Sequence, residues 1–502
     1  KRIKYLQFYT PRVYNMRFCP YAHRTILALN AKNVDYEVYL LPTFEFSSRK
    51  IETVYESLIT VEYLDEIYPQ RPLLPKDPAR KAYDKIIVES IGPVSWFVMV
   101  KNLLITSLSS ASPGSKETKD GTLDFVQDQL KSRGTKFLDG SEPGFADYMI
   151  WPWFERLLNY EHIVNIDSKK YGHMVTIYIA KTDPAVKLYL VPRDTFLKFY
   201  EAYRTGAKPD YNILSIMIAT TISFAMHLVY SSYQGVRVVG RLLGYATYAL
   251  PYNNMAAIKG SVNFNSKHLK TGDALPPHTG KPRVYNMRFC PFAHRAILAM
   301  NAKGIDYEVI NVDLAEKPEW LTSKSAFGKV PAVEVKEGES ICESLVAVEY
   351  IDEIYPQRPL LPKDPVKKAY DKIIADSIGP VTIMMKSIKA PETITEENVA
   401  AYKKALDFIQ EQLKSRGSKF LDGSEPGFAD YMIWPWFERL RILEADERVR
   451  ITPEKYELLV KYISNMLNDP AVSQYLVPTE MYHKFHEAYK SGTKPNYNLL
   501  SQ

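Results

Sequence analysis

PRVYNMRFCPFAH, residues 282–294, decides the fold, and the chain carries it twice: residues 11–23 read PRVYNMRFCPYAH. The agreement resumes as LDEIYPQRPLLPKDP from Leu64 and IDEIYPQRPLLPKDP from Ile351. It returns as PGFADYMIWPWFERL from Pro143 and from Pro426. The period is far longer than the roughly 20–50 residues of a solenoid repeat, so two globular modules are joined on one chain. KPDYNILS near Ser215 matches KPNYNLLS at the chain's end, which closes copy 1 there and starts copy 2 near Lys267.

Working outward from the motif, RVYNMRF alternates as a short buried strand does. Pro291 suits the first position of a helix. AHRAILAMNAKG continues at helical spacing, with Gly304 as its stop. DYEVINVDL reads as a second strand and KPEWLTSKS as a short helix. VPAVEV and the stretch before Cys342 read as two adjacent strands, and Ser344 to Tyr355 as another helix. From about Pro365 onward the periodicity is helical throughout. The expected fold class is therefore α/β plus all-α. Copy 1 spans 11–75 and 76–215, an irregular apolar connector spans 216–266, and copy 2 spans 267–362 and 363–502.

The 502 residues are 46% hydrophobic and 24% charged, enough for sizeable cores. A net charge of +6 with interspersed acids excludes a nucleic-acid partner. The three cysteines, Cys19, Cys290 and Cys342, form no disulfide framework and point to a reducing compartment, so a cytoplasmic location is expected. KRIKYLQFYT at the start is too short and polar for a signal peptide. Ile213 to Tyr230 runs eighteen residues without a formal charge. Polar residues interrupt it and a span needs about 20 apolar residues, so membrane attachment is not expected. His268 and His278 lack zinc-type spacing, so no metal is expected.

A cysteine opens the first helix in each copy. Unpaired N–H groups and the helix dipole favour a thiolate there, and Arg288, His294 and Arg295 make the locality basic, so a lowered thiol pKa is expected for Cys290. The second cysteine of a CxxC pair is missing, so a mixed disulfide at Cys290 needs an external thiol to resolve it. A small buried core cysteine would also fit the motif. Val330-Pro331 can hold a cis peptide that exposes Val330's backbone to an extended ligand, or can simply open a strand. Ser344 as an N-cap leaves donors for a carboxylate and Glu343 an acceptor for an ammonium; capping alone would also explain the serine. Cys342 reads as a packed strand residue.

Taken together, MRFCPFAHR, KPEW, FGKVPAVE, ESLVAVEYIDEIYP and ADYMIWPWFERL resemble an omega-class glutathione S-transferase over nearly all of copy 2. The resemblance implies a thioredoxin-like domain followed by a helical one, with glutathione as co-substrate. It implies Cys290 as nucleophile, Phe292 beside the thiol and Lys317 at glutathione's glycine end. Val330, before Pro331, would meet the cysteinyl backbone, and Glu343 and Ser344 the γ-glutamyl group. Arg439 and Tyr482 would line the acceptor pocket. Asp430, at N3 of a GFAD capping motif, is a folding residue.

Copy 1 keeps Cys19, Glu56 and Ser57, but sixteen fewer residues separate them than in copy 2. The gap removes KPEW and the FGKVPAVE strand, so part of the thioredoxin-like sheet is expected to be missing and glutathione binding impaired. The implied activity is glutathione-dependent thiol transfer, with reduction of small acceptors such as dehydroascorbate. An insect branch that reduces a pterin to a pyrimidodiazepine in eye-pigment synthesis is similar as well. A non-catalytic binding protein on the same fold is the reading that a broken copy 1 favours. The resemblance also implies pairing, either of the two copies as a pseudo-dimer within the chain or of copy 2 across a homodimer.

Overall fold

The structure, a computed structural model, describes residues 10–15, 19–40, 54–92, 113–159, 170–171, 183–190, 262–386 and 394–501. The apolar stretch Ile213–Tyr230 and most of the segment that replaces copy 1's missing strand lie outside the described residues. Compactness divides the chain into Lys1–Phe224 with Pro362–Ile373, and Ala225–Leu361 with Ile374–Gln502. Among the described residues, no helix is long and apolar enough to cross a membrane.

Copy 1 contains β1 (Arg12–Asn15), α1 (Pro20–Ala31), β2 (Glu37–Leu40), α2 (Ser57–Ile67), α3 (Pro78–Ser90), α4 (Pro113–Arg133), α5 (Phe145–Asn159) and α6 (Pro184–Lys187). Copy 2 begins with β3 (Arg283–Asn286), α7 (Pro291–Ala302), β4 (Glu308–Asn311), α8 (Leu321–Lys324), β5 (Ala332–Lys336), β6 (Glu339–Cys342) and α9 (Ser344–Ile354). Its helical part is α10 (Pro365–Asp376), α11 (Gly379–Lys386), α12 (Glu396–Arg416), α13 (Phe428–Leu440), α14 (Pro453–Leu467), α15 (Pro470–Ser473) and α16 (Thr479–Lys490). This is the α/β-then-helical order that the pattern implies, and the thioredoxin-like plus helical arrangement that the resemblance implies.

The four strands of copy 2 run in the order β4-β3-β5-β6. β3 is parallel to β4, joined through α7, and β5 is antiparallel to both its neighbours. Every residue of β3 is buried, as a central strand covered on both faces requires. Gly304 ends α7 at φ +62, where a side chain would be strained. Lys303 at the helix's end is anchored by Asp352 at 2.6 Å and by the carbonyls of Tyr355 and Arg358.

All thirteen residues of α13 are buried, most of them apolar, with Asp430, Glu438 and Arg439 the charged exceptions. Asp430 starts it from N3: its carboxylate accepts from the N–H groups of Gly427 (2.9 Å), Leu421 (2.9 Å) and Asp422 (3.2 Å). Asp147 does the same in copy 1.

In copy 1 the described sheet is the parallel pair β1-β2. Tyr14 is 47% exposed where Tyr285 in copy 2 is fully buried, and Val38 and Tyr39 are exposed where Val309 and Ile310 are buried. Among the described residues, β1 has no strand on the side where β5 covers β3, which accounts for the exposure.

Replacing Asp430 with alanine leaves buried N–H donors unsatisfied. We expect about 3 kcal/mol of destabilisation, read by urea unfolding, with amide exchange in α13 accelerating first.

Candidate active site

Cys290 caps α7 with extended backbone (φ −80, ψ 120) and is 8% exposed, packed among Met287, Phe289, Ala293, Val330 and Tyr482. The expectation of a lowered thiol pKa is corrected here. Burial pushes the Cys290 thiol up from its ordinary value. The N–H groups of Ala293 and Phe292 and the charges of Arg439 and Arg295 oppose that rise without cancelling it. The basic locality is also thinner than the sequence suggests. His294 is fully buried and held neutral, its pKa well below the ordinary value through desolvation. Arg288 is turned to the carbonyls of Tyr475 and Leu476 and to Asn265.

Arg295 has a larger role than a diffuse charge. Its Nε donates to Met432 O (2.8 Å), Nη1 to Ser344 Oγ (3.1 Å) and Nη2 to Ala375 O (3.2 Å). The guanidinium lies 4.4 Å from the Trp436 ring centroid, and Phe292 stands edge-on to that ring at 5.1 Å. Phe292 is 42% exposed beside the thiol. Desolvation pushes Arg295 down to about 9. Sequence reading missed the clasp; the signal available was the repetition of this arginine, as Arg24, in both copies.

The other predicted residues fall as follows. The Val330–Pro331 peptide is cis, and the β3–β5 ladder ends at Ala332, so Val330 stands beyond the last pair. Lys317, before α8, is exposed, and its Nζ would lie 3.8 Å from a Cβ placed on Gly328, after that helix. Ser344 is not the N-cap. Glu343 takes that position at φ +66, ψ 118, and Ser344 is the first helical residue, with its hydroxyl accepting from Arg295. Glu343 makes no side-chain cap and sits in a region that costs a non-glycine residue about 1–3 kcal/mol, a pattern found at ligand sites.

Arg439 and Tyr482 come together but are buried, the guanidinium 4.9 Å over the Tyr482 ring. Tyr482 donates to Glu438 Oε1 at 3.0 Å. Cys342 is buried with its thiol pushed up to about 11 by desolvation, as befits a packed strand residue. No group of side chains suited to a metal ion occurs among the described residues.

Copy 1 repeats the core of this site. Cys19 caps α1 and is buried; Arg24 reaches Met149 O (2.8 Å) and Ser57 Oγ (3.3 Å). Glu56 again has φ +67, but it is exposed, and Ser57 is only half-buried.

Residues 284–359 match the family model for the glutathione S-transferase N-terminal domain, and residues 120–174 and 392–464 match that for the C-terminal domain. Pyrimidodiazepine synthase of Drosophila melanogaster is 38% identical over 47% of this chain and 98% of that protein. Glutathione S-transferase omega-1 of Rattus norvegicus is 36% identical over 45% of this chain and 93% of that protein. The chain belongs to the omega-class glutathione S-transferases. Glutathione transferase Omega 3C from Trametes versicolor, a solved structure, is 22% identical over 43% of this chain and 92% of that one, with a TM-score of 0.37. Each relative spans about half of this chain, as an omega-class protein duplicated in tandem requires, and the C-terminal model matches at two places.

In this omega-class chain, Arg295→Lys keeps the charge but cannot satisfy three acceptors from one plane. A buried carbonyl is left unpaired, and we expect about 2–3 kcal/mol of lost stability in urea unfolding.

Proposed function

We propose that this chain is a glutathione-dependent thiol transferase acting through Cys290. The observation that carries the reading is a lone cysteine at the opening of α7, with the N–H groups of Ala293 and Phe292 acting on its sulfur. In this reading 267–362 is the glutathione-binding domain and 363–502 the helical domain. Lys317 meets the glycine carboxylate, Val330 the cysteinyl backbone before Pro331, and Glu343 and Ser344 the γ-glutamyl end. Phe292 flanks the sulfur, while Arg439 and Tyr482 shape the acceptor side. The three free cysteines suit a reducing compartment, and the cytoplasm is the location we propose.

The Cys290 thiolate attacks the glutathionyl sulfur of a glutathione disulfide. A Cys290–glutathione disulfide forms and the other thiolate leaves. A second glutathione thiolate then attacks the glutathionyl sulfur, releasing oxidised glutathione and the Cys290 thiolate. With dehydroascorbate as acceptor, two glutathiones supply two electrons and two protons and leave as oxidised glutathione.

A second reading is favoured by the likeness to pyrimidodiazepine synthase, which covers 98% of that protein. Here the acceptor is a pterin, reduced to a pyrimidodiazepine at the expense of glutathione. The two readings share Cys290 and differ in the acceptor.

Exposure of the full chain to oxidised glutathione, followed by peptide mass spectrometry, tests the shared step. We expect the adduct on Cys290 and not on Cys19, and Cys290→Ser to lower glutathione-dependent reduction of both acceptors at least a hundredfold (about 3 kcal/mol of barrier). Comparing dehydroascorbate with a pterin as acceptor separates the readings. An unmodified Cys290 would favour a non-catalytic binding protein.

A further inference from the structure

A buried polar cluster acts on Cys290, and the thiol-transfer reading gives it no part in the thiol's ionisation. Arg439, four residues after Pro435 in α13, is 2% exposed. Its Nη1 donates to Pro435 O at 2.5 Å and faces His294 Nδ1 at 3.3 Å. Its Nε and Nη2 have no partner among the described residues. The guanidinium lies over Tyr482, which shares one apolar cluster with Cys290. His294 stands one turn along α7 from the cysteine, its N–H donating to the Cys290 carbonyl at 3.1 Å.

The other cations here have commitments, and Glu438 keeps one carboxylate oxygen, Oε2, without a hydrogen-bond partner among the described residues. Glu438 accepts through Oε1 from Tyr482 Oη and Val477 N, and its Oε2 faces His294 Nδ1 at 3.6 Å. Arg295 approaches the thiol from α7, but its three nitrogens hold Met432, Ser344 and Ala375. Arg288 is bound to Asn265, Tyr475 and Leu476, and the Tyr475 ring packs on His294 at 4.6 Å. Among the described residues, Arg439 is thus the cation acting on the Cys290 thiol that retains idle donors. A buried guanidinium in that condition favours any anion formed beside it.

We infer that Arg439 is a positioning residue that holds the negative charge of the Cys290 thiolate, with His294 orienting the guanidinium as a neutral acceptor. Burial keeps His294 neutral, so it adds no competing charge. Copy 1 supplies an independent argument. Its counterpart Arg156 likewise donates to the carbonyl of Pro152, and His23 lies 3.5 Å from Glu155. The copy 1 sequence lacks the FGKVPAVE segment and its proline, yet it keeps the histidine, glutamate and arginine of this cluster. The cluster therefore accompanies the cysteine and not the glutathione-binding strand.

This inference rests on Cys290 being the reactive thiol, and the test reads the thiolate without glutathione. The full chain is treated with iodoacetamide across a pH series, and Cys290 labelling is quantified by peptide mass spectrometry. The thiolate displaces iodide, so the midpoint reports thiol ionisation and the high-pH plateau reports access. We expect Arg439→Met to raise the midpoint by about one pH unit, slowing labelling near neutrality about tenfold with the plateau unchanged. Arg439→Lys should lose less than threefold. Protection of Cys342 certifies that each variant is folded. A folded Arg439→Met with the wild-type midpoint overturns the inference. If Arg439→Met does not fold, His294→Gln decides: a raised midpoint supports the inference and an unshifted one overturns it. Absence of a glutathione adduct beside an intact midpoint shift would sink the transferase reading and leave this one standing.

Discussion

The arrangement of copy 2 depends on one buried guanidinium. Arg295 has three acceptors, and they come from the start of α9, the end of α10 and the interior of α13. A buried charge is tolerated only when its hydrogen-bonding capacity is met, so these elements must arrive in one geometry. Because α7 also carries Cys290 at its cap, the same constraint sets the thiol relative to Ser344. The Trp436 ring under the guanidinium and Phe292 against that ring extend the constraint to the surface beside the sulfur.

The duplication works as an internal control. Copy 1 retains the arginine clasp through Arg24, the Lys32–Asp65 pair at 2.6 Å and the Asp147 cap. Each of these joins helices, or a helix and its following turn, and none needs β5. What changes is the sheet: Tyr14, Val38 and Tyr39 are exposed, and Glu56 and Ser57 lie more open than Glu343 and Ser344. The clasp is thus separable from the surface on which an extended ligand would lie.

This separation also explains what could be read from residues alone. The strands and helices of copy 2, the stop at Gly304 and the Asp430 cap follow from local pattern, while the cis Val330–Pro331 peptide is one of two readings that the pattern left open. The electrostatics were not legible. The basic run Arg288, His294 and Arg295 reads as a charged environment, but one histidine is neutral, one arginine faces away and one is spent on a clasp. Ser344 reads as a cap because serine prefers that position. Its hydroxyl instead accepts from Arg295, forty-nine residues earlier in sequence, and Glu343 takes the cap position at a positive φ. Such effects depend on which groups burial brings together, and a one-dimensional pattern does not carry that.

Two thiols in one module show how the same desolvation leads to different chemistry. Cys290 and Cys342 are both buried, and burial is the first cause raising each. Around Cys342 the nearby charge of Glu343 adds to the rise, and the opposing groups, the N–H of Ala326 and the charge of Lys329, leave it at about 11. Around Cys290 every other influence runs the opposite way: two N–H groups at the helix opening and two arginines. Helix N-termini and cations act on a thiolate and hardly on a thiol, so they matter in proportion to how far the proton has left. A site built this way keeps its thiol protected at rest while holding the stabilisation of the thiolate in the fixed structure around it. The position of the cysteine at the head of α7 supplies the N–H groups, and Arg295 of α7 and Arg439 of α13 supply the charge.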